Sequence, residues 1–305
     1  MNRASGRRGK NPERICAERK TGKKVHYLND RKKGLYVFDR RKALFAAVFF
    51  AVCAFAGGWA CAEEAKLELL VPGELSVATE GTYPPFSMSD EKGKLSGLEI
   101  AVVGEVCKRL GLTYKPVMIK WESILIGLFA DKYDMTSAAM DITAERQKSV
   151  VFSNGWLESG GALAVRKESP VKVLADVKGK TIGALVASTW AEIASTLGPK
   201  EVKLYKAEAD AIQDLSNGSI DAVITDAVAV AFAIKEANLP LRVMEEKVSH
   251  IQKGFAFKPA KPNLVKAVNK ALADMASDGT YEKLVKGIIG INTWPSKPIE
   301  TIFLK

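Results

Sequence analysis

Histidine and cysteine are scarce in this chain of 305 residues, which has two of the first and four of the second. Cys16, Cys53 and Cys61 fall within the first 62 residues, so Cys107 stands alone in the remainder. One thiol closes no internal disulfide, and no Cys/His spacing matches a zinc site, which excludes a disulfide scaffold and a zinc-built domain. Within ECKRLG, Cys107 reads as part of a buried helix face. His250 is the one histidine beyond the leader, and no nucleophile, histidine and acid set can be built around it. No phosphate-cradling GxxxxGK[ST] loop is present either. After Ala62 no apolar run reaches the ~20 residues that span a bilayer.

Charge of one sign is also missing from most of the chain. The formal balance is +10, but residues 1–62 alone carry 15 Lys and Arg against 4 Asp and Glu. Residues 63–305 keep 30 basic and 31 acidic groups, a balance of −1. A body this close to neutral argues against a nucleic-acid partner.

The basic segment ends in Arg40-Arg41-Lys42 and is followed by an uncharged apolar run, Ala43 to Ala60, and the small-x-small site Ala60-Cys61-Ala62. Basic flank, apolar core and small-residue site make a secretory signal with cleavage after Ala62. An uncleaved membrane anchor and lipidation at Cys61 are the alternatives, the second opposed by the bulk of Trp59. Forty-two residues ahead of the run are long for such a signal, so a start further in, at Val37, is expected.

From Leu67 onward β-rich runs alternate with helical stretches, the pattern of a sheet with helices on its faces. Leu75–Thr79 reads as a strand; the two prolines of TYPPF end it. GLEIAVVGEVCKRLGL has apolar residues at helical spacing and closes on Gly111. KGKTIGAL, EVKLY and DAVIT read as strands, and STWAEIASTLG, AEADAIQDLSNG and DAVAVAFAIKEANL as helices. A short strand GFAFKP and two more helices follow, so the chain is expected to return to its first lobe, with GALAVRK (Gly161–Lys167) and GFAFKP (Gly254–Pro259) as the crossing strands. The expected architecture is an α/β clamp of two lobes and two crossover hinge strands: a leader at 1–62, lobe 1 from 63–162 plus 256–305, and lobe 2 from 163–255. Small ligands bind preferentially at such a lobe interface.

The ordered set ATEGTYPPF, GKLSGLEI, KYDMTSAAMDITAERQKSVVFS, DVKGKTIGALVAST, NGSIDAVITD and SDGTYEKL resembles the extracellular solute-binding proteins of family 3, the periplasmic-binding-protein-like partners of polar amino-acid importers. The likeness spans Leu67 to Ile289. It implies a periplasmic, monomeric protein that binds a small-molecule amino acid and hands it to the membrane permease of an ABC importer, with no cofactor, metal or nucleic acid.

The resemblance also assigns roles. In DITAER it puts Arg146 on the ligand carboxylate, a task suited to a planar fork; the ordinary alternative is a solvated arginine. Asp226, closing VITD, falls where an acid meets the α-ammonium, and an N-cap role can coexist with that. Thr189 matches a ligand-binding hydroxyl, while Ser188 is balanced between ligand contact and capping. Tyr83, Phe86 and Trp121 correspond to an aromatic wall, against the alternative of plain core packing. Ala139, with Ala138, lets the ligand lie against backbone. Asp141 departs from the usual Ser or Thr and resembles the arginine-binding subgroup, and Glu80 adds a second acid. Together they point to a cationic, arginine- or lysine-like side chain, with glutamine- or histidine-like ligands as the rival. A second departure, Ala101 in place of an acid, is expected to affect local stability. Two other functions stay open: a dehydratase-type enzyme using Glu80 or Asp141 as acid, and a ligand-sensing subunit.

Overall fold

The computed structural model describes residues 66–304; the leader, its cleavage site and the expected start at Val37 lie outside them. In chain order the first part contains β1 (Glu74–Thr79), the short strands β2 (Thr82–Tyr83), β3 (Ser87–Ser89) and β4 (Leu95–Ser96), helix α1 (Leu98–Arg109), β5 (Thr113–Met118), α2 (Ile124–Phe129), β6 (Met135–Thr136) and β7 (Val151–Phe152). Next come β8 (Leu157–Ser159), β9 (Gly161–Arg166), β10 (Thr181–Leu185), α3 (Thr189–Thr196), β11 (Glu201–Tyr205), α4 (Glu208–Ser216), β12 (Ala222–Asp226), α5 (Ala227–Glu236) and β13 (Leu241–Lys247). The chain ends with β14 (Ile251–Lys253), β15 (Ala256–Phe257), α6 (Pro262–Ser277) and α7 (Thr280–Ile289).

Two five-stranded sheets result, ordered β5-β1-β6-β15-β7 and β11-β10-β12-β9-β13. Each combines parallel strands from its α/β units with antiparallel pairing by strands next to a crossing. Central strands are buried and rich in apolar residues because both faces are covered: every residue of β12 is buried, and in β1 Leu75, Val77 and Ala78 have no exposed surface. Pro116 is tolerated in β5 because that strand lies at a sheet edge.

Helix α1 shows how sequence sets position. Glu99 lies in its first turn and Lys108 and Arg109 in its last, matching the helix dipole, while Leu98, Val102, Val103 and Val106 are buried. Gly97 precedes it at φ 118°, and a Cβ there would run into the Phe86 carbonyl. Only glycine fits both the angle and the approach. Cys107 packs into the core of this lobe, and burial pushes its thiol up to about 11.

The two-lobed clamp is present, but its crossing strands differ from those expected. Gly161–Lys167 contributes β9 to the second sheet, and Gly254–Pro259 contributes β15 to the first. The chain crosses just before each of them, at β8 and β14, which pair antiparallel with Lys253 opposite Leu157 and Gln252 opposite Glu158. The crossing strands are three-residue and largely polar, Leu-Glu-Ser and Ile-Gln-Lys, so they carry no apolar strand signal, whereas the adjoining sheet strands do. The C-terminal segment straps this hinge: Gly155 N donates to Ile299 O at 2.8 Å and Glu158 N to Thr293 O at 2.8 Å.

Candidate functional site

The site is built where β-strand ends, helix starts and the crossing pair meet. Asp226 ends β12 and caps α5, its Oδ1 accepting from Val228 N at 2.8 Å and from Ser159 Oγ at 2.9 Å. Asp141 lies on the first lobe beside β14, held by backbone bonds from Gly254 N to Met140 O (3.0 Å) and from Ile142 N to Gln252 O (2.9 Å). Thr189, at the start of α3, donates its hydroxyl to Asp141 Oδ2 across the lobes. Ala139, held at φ 42°, gives its N–H to Glu99 Oε2 at 2.8 Å.

Lys253, at the end of β14, is the residue that sequence reasoning passed over. Its side chain is 1% exposed, and Nζ lies 2.7 Å from Asp141 Oδ1 and 3.0 Å from Asp226 Oδ2. The rings of Trp190 and Phe86 flank it at 5.5 and 5.6 Å. Burial alone would push this ammonium down, but Asp141 and Asp226 outweigh it and hold its pKa above the ordinary lysine value. The approach to Asp226 Oδ2 is off the hydrogen-bond direction, so that buried oxygen has no directional donor.

Arg146 presents the opposite situation. Its Nη1 donates to the Asp141 carbonyl at 3.0 Å, and its guanidinium stacks over Trp121 at 5.2 Å. No carboxylate pairs with it among the described residues. Burial lowers its pKa, and Asp141 and Glu192 offset only part of that. Trp121 also joins the lobes, its Nε1 donating to Ala187 O at 3.2 Å.

Carboxyls with raised pKa values surround this centre. Burial, then Glu99 and Glu122, push Glu80 up to about 8. Burial takes Glu99 to about 7 against the hydrogen bonds from Thr79 and Ala139, and takes Glu208 to about 7 with Asp226 and Glu80 adding to the rise. Both Glu208 oxygens and the adjacent Thr225 hydroxyl are buried without hydrogen-bond partners. Glu80 lines a cavity of about 350 Å³ between Thr82, Met118 and Lys120 of the first lobe and Lys206 and Ala207 of the second. A larger cavity of about 680 Å³, against α5 and α7, is lined by His250 but by none of the candidate ligand-binding residues.

The structure therefore brings Arg146, Asp226, Asp141, Thr189, Tyr83, Phe86 and Trp121 into one neighbourhood, with Glu80 at its side. Tyr83 and Phe86 pack as a tilted pair with ring centroids 5.1 Å apart, and burial raises the Tyr83 hydroxyl pKa well above its usual value. Ser188 is engaged otherwise: its only hydroxyl hydrogen goes to Leu185 O at 2.6 Å, while its oxygen caps α3 by accepting from Ala191 N at 3.2 Å. The Ala139 N–H is likewise committed to Glu99. Asp141 is paired with Lys253, and burial raises the Glu80 carboxyl to about 8, which favours its protonated form at neutral pH, so the standing negative charge on which the case for a cationic side chain relied is reduced at both.

The family description "bacterial extracellular solute-binding proteins, family 3" matches residues 75–290. The L-cystine-binding protein TcyJ of Escherichia coli (strain K12) is 33% identical over 248 residues, covering 80% of this chain and 93% of its own. Among solved structures, an ancestral arginine-binding protein bound to arginine superposes with a TM-score of 0.67 at 35% identity, covering 72% of this chain and 99% of that one. AncCDT-1, an ancestral amino acid-binding protein described as a precursor of cyclohexadienyl dehydratase, superposes at 0.66 with 31% identity over 71% of this chain and 95% of its own.

Proposed function

Since the chain belongs to the bacterial extracellular solute-binding proteins of family 3, we propose that it is the exported, periplasmic binding component of an amino-acid ABC importer. It takes a polar L-amino acid between its lobes and passes it to the importer's permease. The observation that carries this reading is a separation of charge: a half-buried guanidinium without an acid partner among the described residues on one side of the cleft, and on the other a buried Asp226 oxygen whose neighbouring Lys253 ammonium, at 3.0 Å, lies off the hydrogen-bond direction. A zwitterion satisfies both at once.

In this reading Arg146 takes the carboxylate in a two-pronged pair, Asp226 receives the ammonium, and Tyr83, Phe86 and Trp121 form the apolar wall. Thr189 and Asp141 close the second lobe on the first. The ligand side chain points toward Glu80 and Glu208. A basic side chain there would draw its counter-charge from these two carboxyls as they give up protons; a neutral polar one would use their hydrogens. A ligand that touches both lobes stabilises the closed form by its differential affinity for that state. Calorimetry tests it: Arg146→Ala should lose ~2–5 kcal/mol of binding, as one side of a buried charge pair is removed. Unchanged affinity would refute the assignment.

An enzyme on the same fold is the second reading, favoured by the pKa values of Glu80, Glu99 and Glu208, which lie at 7 to 8 where a general acid works near neutral pH. Catalytic turnover of a hydroxylated carboxylic acid, in place of stoichiometric binding heat, would establish it.

A further inference from the structure

The Lys253 ammonium occupies an acid and aromatic notch of the kind that recognises an amine. It lies 2.7 Å from Asp141 and 3.0 Å from Asp226, with two aromatic rings beside it and 1% of its side chain exposed. Two carboxylates and one ammonium leave the notch a single net negative charge. Asp226 Oδ2 remains without a directional donor, so one further ammonium can still be received there.

We propose that Lys253 is a specificity-determining residue: by cancelling the charge of Asp141 it sets the notch to accept one ammonium and fixes how strongly the cleft prefers an amine-bearing ligand over the same acid without its amine. This rests on the amino-acid reading above. The geometry supports it in three ways. Lys253 belongs to the crossing strand β14, so its ammonium lies between an acid of each lobe. Asp141 is held against that strand by backbone bonds and cannot withdraw from it. Thr189 occupies the remaining Asp141 oxygen, which directs an incoming ammonium to Asp226.

Net charge at the notch then predicts the sign of each substitution. Lys253→Met leaves two negative charges and should tighten amine binding; Asp141→Asn leaves none and should weaken it; the double variant returns to one. The twenty proteinogenic L-amino acids and L-cystine are first titrated into wild-type protein by calorimetry. The tightest binder is then compared with its 2-deamino analogue, which for arginine is 5-guanidinopentanoate and for histidine 3-(imidazol-4-yl)propanoate. The preference for the amine should rise tenfold or more in Lys253→Met and fall tenfold or more in Asp141→Asn. In the double variant it should recover at least fivefold over Asp141→Asn. A Lys253 that only ties the lobes together predicts that both single variants lose amine and deamino ligands equally and that the double variant does no better, which overturns the proposal while leaving the amino-acid reading intact. Wild-type protein binding none of the amino acids overturns both. If Lys253→Met fails to fold with two uncompensated carboxylates, the double variant against Asp141→Asn still decides: absence of recovery refutes the charge rule.

Discussion

Glu80→Gln should stabilise the unliganded protein, and by an amount that depends on pH. In the unfolded chain this carboxyl has its ordinary pKa of 4.5, whereas in the folded protein burial and the neighbouring Glu99 and Glu122 hold it at about 8. The folded state therefore binds more protons than the unfolded one between these values, and its stability falls as pH rises through them. At ~1.4 kcal/mol for each pKa unit, the penalty at pH 7 is at most about 3 kcal/mol, less whatever water relieves at this partly exposed side chain. Glutamine is nearly isosteric, keeps an acceptor for the Trp121 N–H and cannot ionise, so its advantage should be small at pH 5 and largest near pH 8. Urea denaturation of both proteins at pH 5, 6, 7 and 8 reads this directly. A variant whose stability curve runs parallel to wild type across that range, or a wild type that gains stability from pH 5 to 8, would refute the reasoning.

Other outcomes follow from single contacts. Trp121→Phe keeps the ring under Arg146 but removes the hydrogen bond to Ala187 O across the lobes; ligand affinity in calorimetry should fall several-fold, in line with ~1 kcal/mol for one such bond, with little change in melting temperature. Gly97→Ala meets the Phe86 carbonyl at a φ that disfavours any side chain, and should lower the melting temperature by ~2–10 °C, as a cost of ~1–3 kcal/mol implies. Glu99→Gln is expected to keep the Ala139 N–H bonded but to flatten the stability loss between pH 5 and 7 by ~1 kcal/mol or more, since the carboxyl it replaces is held at about 7; an unaltered slope in the same denaturation series would contradict that pKa.

Most of the architecture was legible in the alternation of apolar strands and amphipathic helices, since β1, β10, β11, β12 and the helices between them follow their local pattern. Strand β13 was not legible: LRVMEEK ends in three charged residues, and its pairing with β9 is broken by a register shift between Val243 and Lys247. The crossing strands were displaced because β8 and β14 are short and mostly polar, so the apolar signal falls on the adjoining sheet strands β9 and β15. That Arg146, Asp226, Thr189 and the aromatic residues share one neighbourhood was legible through the motifs that carry the family resemblance. Lys253 could not: one lysine in a strand normally faces water, and its meaning depends on Asp141, 112 residues away in sequence. The one available signal was an acid at position 141, whose buried charge required a partner.

The central claim is that the cleft holds a free amino acid by both of its charged ends. Titrating the best-binding L-amino acid alongside its N-acetyl and carboxamide derivatives tests it most directly. Strong binding heat is expected for the free zwitterion and a hundredfold or greater loss for each derivative; binding of either blocked form as tightly as the parent would rule out a grip on both ends.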